Sequence, residues 1–71
     1  MPINGLKVRA YRKKRGWTQD DLAEHARISR SYLAEIERGT KRPRLLVTEA
    51  LATALGVTIS DIANSKRPSK F

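Results

Sequence analysis

Apolar residues recur along this chain in short clusters at helical spacing, and three glycines separate the clusters. Val8, Tyr11 and the stem of Arg12 fall at i, i+3 and i+4, one face of a helix from about Asn4 to Arg15 with Asn4 as its cap. Gly16 closes it in left-handed geometry, which leaves Trp17 to pack beneath the next element. Thr18-Gln-Asp-Asp21 reads as a capping box with Asp in place of the usual Glu or Gln. It opens a second helix whose apolar face is Leu22, Ala23 and Ala26 and which ends near His25 or Ala26. Asp20 and Asp21 suit the positive end of that helix's dipole, a structural role. Ser29 caps a third helix, with Leu33 and Ile36 inward, Arg30, Ser31, Ala34 and Arg38 sharing the outward face, and Gly39 as the stop. A fourth helix runs from about Leu45 to Leu55, buries Leu51, Ala52 and Leu55, and ends at Gly56. Arg44 stands where a Ser or Thr cap is expected. Thr58-Ile-Ser-Asp61 is another capping box, opening a short fifth helix that buries Ile59 and Ile62. No stretch of useful length alternates with period two, so no sheet is expected. The pattern predicts one all-α domain of five helices over residues 1–63, followed by a basic, disordered tail at 64–71.

Composition narrows what such a domain can do. The chain has 71 residues and no cysteine, so neither disulfides nor thiolate metal sites are open to it. One histidine supplies no metal cluster and no triad, and no enzymatic activity or cofactor is expected. No apolar run approaches the ~18 residues of a membrane span. The basic amino terminus has no hydrophobic run behind it and does not read as a secretory signal.

Charge points to the partner. Fifteen Lys and Arg face seven Asp and Glu, a net charge of +8. Residues 1–17 carry six cations and no acid, residues 38–49 carry Arg38, Lys41, Arg42 and Arg44 against one acid, and five acids concentrate between 18 and 37. Self-repulsion of this size opposes compaction unless an anion relieves it. A polyanion is therefore expected, nucleic acid first and an anionic membrane surface second. One Trp, two Tyr and one Phe make a poor platform for stacking single-stranded bases.

The helix pair at 18–39, TQDDLAEHARISRSYLAEIERG, concentrates the functional signal. About three residues join two short capped helices, which forces a sharp crossing at small Ala23. Apolar residues at 22, 26, 28, 33 and 36 hold the pair together. The amino end of the third helix is left proud of the surface, narrow enough for a major groove about 12 Å wide and polarised to favour phosphate.

These residues resemble the helix-turn-helix domain of lambda-type phage repressors, the Xre family. The resemblance rests on Arg12-x-x-x-Gly16-Trp17-Thr18-Gln19, Leu22-Ala23, Ile28-Ser29-Arg30-Ser31-Tyr32-Leu33, Ile36-Glu37-Arg38-Gly39, Pro43 and Leu55-Gly56-Val57, in order over roughly residues 6–63. It implies the compact five-helix lambda-repressor-like fold, with the helix-turn-helix at helices two and three, and sequence-specific binding to operator DNA. It also implies roles for single residues. Gln19 matches a glutamine that holds phosphate and braces the recognition helix. Arg30 and Ser31 match positions that reach base edges, and Tyr32 and Arg38 match flanking contacts. Glu35 lies one turn along the groove-facing side, able to accept from cytosine N4 or to pair with Arg38. Arg12 and Glu37 match a partly buried ion pair. The chain departs from the family pattern at Arg27, where the turn usually has Gly, at Thr48, where helix four usually has a large aliphatic, and at the uncapped Arg44.

Ser29 and Arg27 join the expected DNA-contacting set beside the turn, and Lys41, Arg42 and Arg44 are expected to meet phosphate or the minor groove. His25 is expected at the surface and Trp17 in the core. The expected function is a transcriptional regulator of a bacterium or phage, probing double-stranded DNA with a palindromic operator as a weak or DNA-induced homodimer through helices four and five. The implied location is cytoplasmic, on the nucleoid. The alternative is an antitoxin or accessory module whose main partner is a protein, which would carry an exposed apolar patch on helices four and five.

Overall fold

The computed structural model describes residues 3–63, so the expected tail at 64–71 lies outside the described residues. Five helices follow one another: α1 (Gly5–Lys14), α2 (Gln19–Ala26), α3 (Arg30–Arg38), α4 (Leu45–Leu55) and α5 (Ile59–Ile62). Local chemistry fixes their ends. Asn4 Oδ1 accepts from the backbone of Leu6 at 3.0 Å and Lys7 at 3.3 Å, so Asn4 caps α1 from outside the helix. At α2 the Thr18 N–H donates to Asp21 Oδ2 at 2.9 Å and the Asp21 N–H donates to Thr18 Oγ1 at 3.1 Å. Thr58 and Asp61 repeat this reciprocal pair at α5. These bonds to Thr18 and to Thr58 hold the carboxyls of Asp21 and Asp61 below the ordinary aspartate range. Helix α4 starts without a side-chain cap at Arg44.

The turn between α2 and α3 is Arg27-Ile28-Ser29. Arg27 is left-handed at φ 60° and ψ 46°, the one non-glycine residue at positive φ among the described residues. Its backbone N–H donates to Glu24 O at 3.2 Å, and the Ile28 N–H donates to Ala23 O at 2.9 Å. Chain reversal thus uses the last carbonyls of α2, and an arginine occupies the geometry that a glycine adopts more cheaply.

The core is a layer of Val8, Leu22, Leu33, Ile36, Leu51 and Ile62, all essentially without solvent contact. Ala23 and Ala26 are buried with them and let α2 approach both α3 and α4 closely. Helix α1 lies against α3, α4 and α5. Its first turn meets the end of α3 at Gly5, where an added Cβ would come under 3.0 Å from the carbonyl oxygens of Ile36 and Glu37. The sequence pattern gave no sign of this contact.

Two expectations change. Ile59 is half-buried rather than core, because a helix of four residues turns only Ile62 fully inward. Trp17 is also only half-buried. Its indole lies between two side chains, with the Arg15 guanidinium carbon 4.7 Å from the ring centroid and the His25 ring stacked at 4.3 Å. Arg15 continues past the indole to donate to Leu55 O at 3.1 Å, at the carbonyl end of α4. Thr48 is buried at the aliphatic position because its hydroxyl donates to Arg44 O at 3.1 Å. As expected, no sheet forms among the described residues; Ile3 and Ala63 make an isolated antiparallel bridge, and the Asn4 N–H donates to Ile62 O at 2.7 Å.

Candidate nucleic-acid interface

The amino end of α3 stands at the surface. Ser29 caps it, its Oγ accepting from the Tyr32 N–H at 3.0 Å, which commits that oxygen to the helix start. Arg30 and Ser31 follow and are both exposed, while Leu33 and Ile36 fix the opposite face in the core. Along the outer side Arg38 is exposed and Ala34 and Glu35 are half-buried. Tyr32 is half-buried against the core. No ion pair joins Glu35 to Arg38 among the described residues; the backbone carbonyl of Glu35 instead accepts from Thr40 Oγ1 at 3.2 Å. Beyond α3, Lys41, Arg42 and Arg44 are all exposed on the segment leading to α4, and Arg27 is exposed on the turn.

A buried ionic network orients this surface from behind. Arg12 of α1 donates from Nε to Glu37 Oε2 at 2.8 Å and from Nη2 to Glu37 Oε1 at 3.0 Å, a bidentate pair. Their side chains keep only 9% and 4% of their exposure. The remaining Arg12 nitrogen, Nη1, donates to Trp17 O at 2.8 Å. Gln19, half-buried at the start of α2, donates from Nε2 to Glu37 Oε1 at 3.1 Å. The carboxylate of Glu37 therefore ties α1 and α2 to α3. Paired and hydrogen-bonded on both oxygens, it tolerates a depth that would be prohibitive for a lone charge.

Around this network lies a shallow basin of about 370 Å³ lined by Arg9, Arg12, Gln19, Arg30, Ala34, Glu37 and Arg38. The Arg12–Glu37 pair neutralises itself, so Arg9, Arg30 and Arg38 set the sign of the basin. Arg9 is exposed and was not singled out from the sequence. Its signal was present, since it sits one turn before Arg12 (i, i+3) on the same side of α1. Another feature appears only in three dimensions: Asp20 Oδ1 lies 3.4 Å from Arg30 Nε, across the turn between α2 and α3. Chemically, the surface offers guanidinium groups for phosphate or base edges, spaced along one protruding helix and the loop after it.

Two short capped helices crossing at a tight turn, the second with its charged amino end outward, define a small helix-turn-helix domain. The Helix-turn-helix family model matches residues 8–68. The chain belongs to this family of DNA-binding domains, in its lambda-repressor-like, Xre-type form. Among relatives, the chain is 48% identical over 62 residues to the immunity repressor protein of Bacillus phage phi105, covering 87% of this chain and 43% of that protein. The chain thus spans less than half the length of the phage repressor. The fold is similar to that of the restriction-modification controller protein C.AhdI from Aeromonas hydrophila, with a TM-score of 0.78, 33% identity, and 80% and 86% of the two chains covered. It is also similar to SinR, a master regulator for biofilm formation solved in complex with DNA, with a TM-score of 0.75, 33% identity, and 79% and 90% covered.

Proposed function

We infer that this domain binds double-stranded DNA sequence-specifically, as a repressor-type transcriptional regulator of a bacterium or phage, with α3 in the major groove. The observation that carries the reading is the exposure of Arg30 and Ser31 at the amino end of α3 while Leu33 and Ile36, on the opposite face, are buried. In this reading Arg30 meets guanine O6 and N7, Ser31 adds a second base contact, and Glu35 faces cytosine one turn along. Gln19, Arg27, Ser29, Tyr32 and Arg38 flank these contacts on the backbone, with Lys41, Arg42 and Arg44 on phosphate or in the minor groove. The likeness to a protein solved in complex with DNA supports it, as does the net charge of +8. Residues 1–63 act as the DNA-binding unit.

Recognition of a two-fold operator calls for two copies about 34–36 Å apart. We place the contact between copies on α4 and α5, as a weak or DNA-induced dimer. Support comes from α4, where Leu45 and Leu46 are 63% and 76% exposed. The same leucines favour a second reading, in which the main partner is a protein, as for an antitoxin or accessory module. No helix among the described residues is long and apolar enough to cross a membrane, and the regulator reading implies a cytoplasmic, nucleoid-bound protein.

A random-oligonucleotide selection followed by footprinting tests the main reading. Arg30→Ala then costs roughly 1–3 kcal/mol on the selected site and relaxes preference at one base pair. Equal losses on selected and scrambled duplex remove Arg30 from the base-reading set. A failure to enrich any sequence favours the protein-partner reading.

A further inference from the structure

Asp20 lies in the first turn of α2 but takes no part in its capping box. The capping box of α2 is completed by Asp21, whose Oδ2 accepts from the Thr18 N–H. Asp20, one residue earlier, faces Arg30 instead, with Oδ1 3.4 Å from Nε. The two side chains are 77% and 59% exposed. A pair so exposed contributes little to the stability of the fold. Its location matters more. It sits on the residue that leads α3, at the rim of a basin whose unpaired cations are Arg9 and Arg38. On a face that meets a polyanion, a carboxylate repels phosphate, so its value lies in what it does to its partner.

We propose that Asp20 is a positioning residue that sets the base preference of Arg30: its carboxylate holds the guanidinium at Nε and leaves the two terminal nitrogens to meet O6 and N7 of a guanine. The idea rests on the DNA reading given above. The guanidinium is a planar fork with five N–H donors. One carboxylate contact at Nε leaves the four N–H groups of Nη1 and Nη2, and these match the paired acceptors of guanine. A fork already steered by Asp20 loses less rotamer freedom on docking than a free one. Asp20 also acts against the wrong complex. When Arg30 swings away to a phosphate, the carboxylate is left facing the DNA backbone with no cation between them, and repulsion penalises that arrangement. Both effects act on the difference between DNA sites rather than on binding to DNA in general.

The test compares the full chain as wild type, Asp20→Asn and Arg30→Ala. Each is taken through selection from random duplexes. Each is then titrated against the wild-type site and the same site with its enriched guanine changed to adenine. Wild type is expected to enrich a guanine in each half-site, and Arg30→Ala to reduce the guanine-over-adenine preference by about tenfold or more. Asp20→Asn is expected to reduce that preference by roughly two- to fivefold, the range of an exposed ion pair, while binding scrambled duplex more tightly than wild type. A purely structural Asp20 would weaken both duplexes alike and leave the ratio unmoved. That result, with Arg30→Ala still losing the guanine, overturns the role of Asp20 and leaves base reading by Arg30 intact. If Arg30→Ala keeps the guanine, base reading by Arg30 fails and the role of Asp20 falls with it.

Discussion

Glu37 accepts three hydrogen bonds through its side chain, two from Arg12 and one from Gln19. Glu37→Ala removes all three and leaves the Arg12 guanidinium buried beside an apolar gap. The expected loss is about 3 kcal/mol, because an uncompensated buried charge is far costlier than a lost surface pair. Chemical denaturation measures it, and a loss under about 0.5 kcal/mol would place the pair in solvent-like surroundings. No local pattern pairs residues 12 and 37, which lie 25 apart. The pairing was legible only through resemblance to other chains. Gly5 was not legible at all, since the carbonyls that exclude a side chain there come from α3. The Asp20–Arg30 contact escaped for a related reason: helix-dipole chemistry accounts for Asp20 on its own helix and gives no cue to look across the turn.

Helix starts were the most readable part of the chain, because their hydrogen bonds span two or three residues and use side chains with a single dominant habit. Asn4, Thr18, Ser29 and Thr58 all cap as their sequence context indicated. The two capping boxes carry a pH dependence. Each aspartate has its folded pKa lowered from 3.8 by bonds to its threonine. Their stabilisation is therefore fully present above the unfolded value near 3.8 and is lost as pH falls through the lower, folded value. Asp21→Asn is expected to flatten the acid limb of stability in that window, read from thermal melts across pH 2–5, and to leave its shape at neutral pH unchanged. An acid limb as steep as that of wild type would assign the acid sensitivity elsewhere. The turn is the other element-scale test. Arg27→Gly relieves left-handed strain but loosens the unfolded chain, so a net gain of about 0.5–1 kcal/mol is expected. A loss on denaturation would mean that the arginine side chain makes a contact outweighing the strain. At α5 a period-based pattern assigns Ile59 inward, but the helix stops after one turn and leaves Ile59 half-buried.

At the scale of the whole molecule, the cations of the chain do not all act alike. Arg12 is consumed by the buried network and Arg15 by Trp17 and the end of α4. Arg42 is exposed on the segment before α4. Arg42→Ala is expected to weaken binding to every duplex by a similar factor and to reduce the dependence of log K on log salt by about one unit. An unchanged slope removes it from the phosphate-contacting set. Charge blocks were legible in the sequence, yet sorting structural arginines from exposed ones required the folded packing. The pairing of Ile3 with Ala63, backed by the bond from Asn4 to Ile62, has a mechanical outcome. It holds positions 3 and 63 side by side at one corner, so that a tether of only a few residues between those two positions would close the polypeptide into a loop.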